Sequence, residues 1–159
     1  MPSLLIVYYS RSGNTKLMAD EIAEAAREVS GVEVAARPVA DVTPDDLLQA
    51  DGVIMGSPVY YGTMAAEIKQ LIDESVCYHG KLDGKVGGAF ASAGGPHGGA
   101  ETTVLDIVKC LMVHGMVVKG EAMGDHYGPC AQAEPDDHSK AECRKYGHML
   151  AELVLALHG

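Results

Sequence analysis

The feature that most constrains this chain is an alternation of short apolar runs with segments whose apolar residues recur at helical spacing. "LLIVYY" (Leu4–Tyr9) is rich in β-branched and aromatic residues and bounded by polar ones, so it reads as a buried strand. Thr15–Ser30 follows as a helix, with Leu17, Met18, Ile22, Ala25, Ala26 and Val29 on one face and Gly31 as its stop. Val32–Val39 alternates as a second strand, and Thr43 with Pro44 opens a short helix in "TPDDLLQAD". "GVIMG" (Gly52–Gly56) is a third strand, apolar throughout as a central parallel strand should be. Met64–Glu74 is a helix with Ile68, Leu71 and Ile72 inward, and "KVGGAFAS" (Lys85–Ser92) a fourth strand. A long helix in "GGAETTVLDIVKCLMVHG", a fifth strand in "MVVKG" and a closing helix over Ser139–Leu157 complete the series. Strands that alternate with helices form a parallel sheet covered on both faces. Right-handed crossovers then favour an α/β fold of three layers, α/β/α, with a five-stranded parallel sheet in the order 2-1-3-4-5. At 159 residues, with no linker and no repeat, the chain makes one domain, 1–159.

Composition removes several function classes. A net charge of −10 argues against a nucleic-acid partner, whose phosphates are held by clustered Lys and Arg, and against an anionic membrane surface. No apolar run approaches the roughly 20 residues that span a bilayer, and "MPSLLIVYYS" has no basic region to start a signal peptide. Cys77, Cys110, Cys130 and Cys143 lie far apart with no CxxC spacing, so they read as reduced thiols of a cytoplasmic protein. His126, Cys130, His138, Cys143 and His148 crowd the C-terminal third, but their spacing fits no zinc pattern and no metal is expected. Asp136 and Asp137 read as a solvated turn before the last helix.

In a parallel sheet of this order, ligands bind beyond the carboxyl ends of the strands, beside the switch point between strands 1 and 3. Those ends read "SRSGNT" (10–15), "SPVYYGTM" (57–64) and "SAGGPHGG" (92–99). The first leads directly into a helix, whose start presents unpaired N–H groups and a positive dipole end to an anion. Ser10, Ser12, Asn14 and Thr15 add short donors, and Gly13 allows close approach, a chemistry suited to one terminal phosphate. The bland alternative is that Ser12 or Asn14 only caps the helix. Rival phosphate sites are absent: the loop has no GxxxxGK[ST] and no GxGxxG, and no carboxylate ends strand 1 or strand 3. A low-molecular-weight phosphatase needs Arg six positions after Cys, where this chain has Asp83, Met116, Asp136 and Met149.

"SRSGNT" resembles the phosphate loop of the flavodoxin superfamily, Ser/Thr-x-Ser/Thr-Gly-x-Thr, in its expected place. Over nearly its full length the chain also resembles the tryptophan-repressor-binding-protein family of NAD(P)H:quinone oxidoreductases. The matching pieces are "GSPVYYGTMAAEIKQLID", "GKVGGAFASAGGPHGGAETT", "HGMVV" and "YGPCAQAEPDDHSKAECRKYG". The resemblance implies a flavodoxin-like fold and an FMN flavoprotein. Ser10, Arg11, Ser12, Gly13, Asn14 and Thr15 would hold the FMN phosphate. Pro58, Val59, Tyr60, Tyr61 and Gly62 would border the ring, with a tyrosine stacked on it. Ser92, Ala93, Gly94, Gly95, Gly98 and Gly99 would contact the ribityl chain and the pyrimidine edge. His97, in the same loop, either donates to a quinone oxygen or simply decorates the loop.

The implied reaction is two-electron reduction of a quinone by NAD(P)H in ping-pong order, which needs no protein general base. The implied assembly is a homodimer or homotetramer, with Tyr127 reaching a neighbouring subunit's site. Two departures from that family stand out: its flavin-side histidine falls on Val113, beside His114, and its substrate-covering tryptophan has no counterpart. The short chain, those departures and a charge that would steer it to basic partners support a second reading, a flavodoxin-type one-electron carrier in electron transfer between proteins.

Overall fold

The computed structural model describes residues 1–159. Its elements run β1 (Ser3–Tyr8), α1 (Asn14–Arg27), β2 (Glu33–Pro38), α2 (Pro44–Gln49), β3 (Gly52–Tyr60), β4 (Thr63–Met64) and α3 (Ala66–Glu74). They continue with β5 (Val86–Ala93), α4 (Ala100–Val113), β6 (Val117–Val118), β7 (Cys130–Gln132) and α5 (Asp137–His158), while short 3₁₀ turns cover Val39–Asp41 and Ser75–Tyr78. β2, β1, β3, β5 and β6 lie side by side in that order, all pairs parallel. No helix is long and apolar enough to cross a membrane.

The flavodoxin-like α/β architecture with a parallel sheet is present, but the expected five strands are seven. Two local events account for the difference. β3 runs on past Gly56 to Tyr60 and then folds back through Tyr61 and Gly62 into β4, its antiparallel partner. Both turn residues have positive φ (49° and 80°), as the tight two-residue hairpin requires. The last strand is interrupted: β6 pairs only with Val86 and Gly87 of β5, and β7 resumes the same edge opposite Ala91–Ala93. Between them the chain carries Gly120, Gly124, Gly128 and Pro129, which cannot sustain a strand. The edge left bare at Ala89 is filled from the helix layer, where the Tyr146 hydroxyl accepts the Ala89 N–H at 3.1 Å.

Strand alternation sorts the core into two halves. Leu4, Ile6 and Tyr8 of β1 face α1 and α5, packing with Met18, Ile22, Tyr146, Leu150 and Phe90. Leu5 and Val7 face the other way, onto Leu47, Ile68, Val104, Ile107 and Leu111 of α2, α3 and α4. Phe90, the single phenylalanine, fits only because its register partner is Gly56, where a Cβ would fall 2.0 Å from the ring. Asp136 and Asp137 are more than a solvated turn: Asp136 caps α5, its side chain accepting the Ser139 N–H at 2.8 Å. The parallel register leaves the carboxyl ends of β1, β3 and β5 on one edge, and there the three loops meet.

Candidate functional site

The first loop enters α1 through Gly13, which stands at φ +104° as the N-cap. Neither Ser12 nor Asn14 caps the helix; Ser10 does that work from below. Its Oγ accepts the N–H groups of Gly13 and Lys16, each at 3.2 Å. With its lone pairs so used, the Ser10 hydroxyl keeps its proton free to donate outward. The backbone N–H groups of Ser12, Asn14 and Thr15 meet no acceptor in the chain. A Cβ built on Gly13 would meet nothing within 4 Å, so open space faces these donors. Arg11 is exposed and makes no ion pair, whereas Lys16 is neutralised by Asp20 at 2.7 Å.

The second loop is fixed from within. Ser57 is fully buried at the end of the parallel part of β3, donating to the Pro58 carbonyl at 2.7 Å and accepting the Ala65 N–H at 2.8 Å. That clamp sets the span Pro58, Val59, Tyr60, Tyr61 and Gly62. Tyr60 packs edge-on against Tyr9, ring centroids 6.3 Å apart, and Tyr61 stands fully exposed at the hairpin tip. Thr63 Oγ1 donates to Asp106 on α4 at 2.8 Å, tying the hairpin to the helix behind the third loop.

The third loop follows Ser92 and Ala93 at the end of β5. Register places Ser92 beside Pro58. Gly94 and Gly95 face open space, and the N–H groups of Gly94, Gly95, His97 and Gly99 have no acceptor in the chain. Gly98 donates to the Gly95 carbonyl at 3.3 Å, which curls the loop. Gly99 (φ +104°) caps α4 and comes so close to the hairpin that a Cβ there would lie 3.3 Å from Gly62 Cα. His97 is exposed with φ +61°. Across from the loop, Cys130 and Gln132 of β7 close a cleft of about 490 Å³, shared with Pro96, Glu101 and Thr102. Burial first, then the carboxylates of Asp125 and Glu101, push the Cys130 thiol up to about 12, so it stays protonated.

All three predicted loops are thus neighbours, and a pair of buried hydroxyls, Thr15 and Ser92 at 2.9 Å, joins the first to the third. Val113 and His114 lie elsewhere. They end α4, a 14-residue helix and hence ~20 Å long, at its far end from Gly99. Tyr127 is half-exposed on the segment between β6 and β7, edge-on to His126. Sequence reasoning assigned no role to Tyr9, Ser57, Asp106, Cys130 or Gln132. The last two sat in the quoted "YGPCAQ" motif, but their meeting with the glycine loop depends on the split strand.

The residues present fit the FMN that the resemblance implies. Unpaired N–H donors, a free cation and open space lie at the first loop, while glycines with free N–H groups line the third, as a phosphate and a ring with polar edges require.

The family described as NADPH-dependent FMN reductase matches residues 3–128. A flavodoxin of Aquifex aeolicus is 38% identical over 97% of this chain and 88% of its own. An NAD(P)H dehydrogenase (quinone) of Geotalea daltonii is 37% identical over 74% of this chain and 70% of its own. Among solved structures, the WrbA-like flavodoxin of Agrobacterium tumefaciens superposes with a TM-score of 0.82 at 26% identity, covering 99% of both chains.

Proposed function

We propose a function from the premise that this chain belongs to the flavodoxin superfamily, in the family described as NADPH-dependent FMN reductase. FMN is its cofactor, and the chain is a flavodoxin-like redox protein. Our reading of its activity is an NAD(P)H:quinone oxidoreductase that takes two electrons from a reduced nicotinamide and passes them to a quinone in ping-pong order. One observation carries this reading: the cleft of about 490 Å³ between the glycine loop and β7. Its lining runs from Gly95, Gly98 and Gly99, which would border FMN, to His97, Glu101, Cys130 and Gln132, so a small-molecule substrate held there would lie beside the cofactor. The quinone dehydrogenase of Geotalea daltonii supports the same choice.

When bound, FMN supplies the electron exchange. The chain supplies position and charge. Free N–H groups of Ser12, Asn14 and Thr15, the Ser10 hydroxyl and the Arg11 guanidinium would hold the phosphate. The Ser57 clamp fixes Pro58–Gly62, which would border the ring, with Tyr60 braced by Tyr9 and the exposed Tyr61 free to cover it. Gly94 and Gly95 offer N–H donors to anionic charge at the pyrimidine edge. No Asp or Glu stands within 10–15, 58–62 or 92–99, which leaves His97 as the one imidazole among them. His97 would face a quinone in the cleft. Assembly into a homodimer or homotetramer belongs to the same reading.

The FMN-loaded protein should oxidise NADH or NADPH with benzoquinone and give parallel double-reciprocal lines. Absence of turnover with both donors would overturn the enzyme reading. The one-electron carrier, which the Aquifex flavodoxin favours, would then stand. Photoreduction separates the two independently: a carrier shows a third spectral species between oxidised and fully reduced protein, and the enzyme passes directly from one to the other.

A further inference from the structure

The sheet ends on one side in a bare strand. β2 pairs only with β1, and the opposite edge is the one broken between β6 and β7. The Glu33 N–H donates inward to the Pro2 carbonyl at 2.9 Å. Alternate residues of a strand face each neighbour, so Glu33, Ala35 and Arg37 turn their backbone groups to β1. Val34 and Ala36 turn theirs outward, and Pro38 ends the row because it has no N–H.

The side chains of Val34 and Ala36 pack on the α1–α5 half of the core, which leaves those of Glu33, Ala35 and Arg37 on the other face. There they flank, with Asp46 and Gln49 of α2, a groove of about 270 Å³. Glu33 and Ala35 are exposed. Asp46 holds the Arg37 guanidinium at 2.8 Å, whereas the Glu33 carboxylate has no cation within its own chain.

Charges on an edge strand ordinarily guard it against pairing. Here they are self-complementary. When two copies of β2 run antiparallel about a two-fold axis at Ala35, Glu33 of each falls opposite Arg37 of the other, and Val34 opposite Ala36. Val34 and Ala36 are the residues whose N–H and C=O groups point outward, so each of these opposed pairs exchanges two hydrogen bonds. Moving the axis one residue to either side sets Ala35 against Glu33 or Arg37 and forms neither ion pair.

We infer that β2 is a docking edge for a second copy of this chain, which extends the sheet antiparallel across a two-fold axis at Ala35 with Glu33 and Arg37 paired reciprocally. Because the joined strands run in opposite directions, the carboxyl ends that carry the two cofactor sites point away from each other. The pairing is independent of which redox reaction the chain performs.

One strand pair buries less than the ~1,200 Å² of a stable interface, so the dimer should be weak, with a dissociation constant on the order of 100 μM. Sedimentation velocity of the full FMN-loaded chain over a range of concentrations reads it. Salt at about 0.15 M screens the repulsion between two chains of net charge −10. Opposed like charges should make Glu33→Arg and Arg37→Glu each associate about tenfold more weakly. An equimolar mixture of the two should regain wild-type affinity, because opposite charges then meet across the axis.

Arg37→Glu also gives up Asp46, so Ala35→Cys adds a test that leaves the charged residues alone. Opposed residues of a pair without hydrogen bonds lie about 4.5 Å apart at Cα, within disulfide range. In a Cys77→Ser background, which removes the exposed native thiol, Ala35→Cys should cross-link into dimers under mild oxidation, with the bond mapped to that position on both copies. A chain that stays monomeric up to about 1 mM would overturn the proposal and leave the edge bare or to a strand of another protein. A dimer indifferent to Glu33→Arg and not cross-linked through Ala35→Cys would overturn it in favour of a different surface.

Discussion

At Gly13 the backbone enters α1 at φ +104°, a conformation that burdens any residue with a Cβ. The same atom would also intrude on the open space beside the unpaired N–H groups. Gly13→Ala should therefore lower stability by about 1 kcal/mol in a urea titration and weaken FMN binding more than riboflavin binding. A second residue-scale consequence lies away from the site, at His114. Ser75 Oγ donates its only proton to the Ile72 carbonyl at 2.6 Å, so at 2.8 Å it must accept from His114 Nε2. That leaves Nδ1 as a bare, buried acceptor with no partner. Burial first, then the neighbouring His79, hold the imidazole below its ordinary 6.5, while the rest of its small cavity is lined by the Cys110 thiol and by Leu47, Ile72, Leu82 and Met116. A lowered histidine favours folding in its neutral form, so its contribution is complete above pH 6.5 and is lost as pH falls from there through the folded value. Thermal melts across that window should show wild type losing stability faster than His114→Gln, whose amide can still donate to Ser75. Parallel curves would refute it.

The elements themselves followed from local chemistry wherever a pattern was long. α1, α4 and α5 lay within a few residues of their periodic runs, and Thr43 opened α2 as a reciprocal cap with Asp46. What spacing could not reveal was pairing. β4 and β6 are two residues each and β7 three, too short to carry a period, and they are strands only because a neighbouring strand offers free backbone groups. The interruption of the edge strand also created a demand that no sequence pattern announces: Ala89 needs an acceptor, and Tyr146, buried on α5, provides it. Burial pushes the Tyr146 hydroxyl up to about 12, so it remains a neutral phenol. Tyr146→Phe should keep the packing against Leu150 and Phe90 but leave the Ala89 N–H orphaned inside the sheet. The expected loss is about 1–3 kcal/mol in urea unfolding. A loss within about 0.3 kcal/mol would mean that the bond is dispensable at the split.

On the scale of the whole molecule, the meeting of the three loops was the more legible part, because topology does the gathering. Once β1, β3 and β5 are parallel and adjacent, "SRSGNT", "SPVYYGTM" and "SAGGPHGG" must share an edge whatever their side chains do. Side-chain commitments within that edge were not legible: Ser10 as internal cap, Ser57 as clamp and Thr15 with Ser92 as a buried pair are all decided by packing. The two core halves meet on the same central strands, Ile54 of β3 facing one and Val53 and Met55 the other. Neither half can open without exposing the sheet that supports the second, so unfolding should be a single transition. The three loops belong to that cooperative unit, since Ser92 and Pro58 are themselves strand residues. Whatever binds them must then stabilise the entire domain by mass action, which at a free FMN concentration of 100 Kd amounts to about 2.7 kcal/mol. Urea unfolding with and without FMN should shift its midpoint accordingly while fluorescence and circular dichroism transitions remain superimposed. An FMN-induced shift seen by only one of the two probes would mean that the loops melt apart from the sheet, and that the site is ordered by its cofactor rather than by the fold.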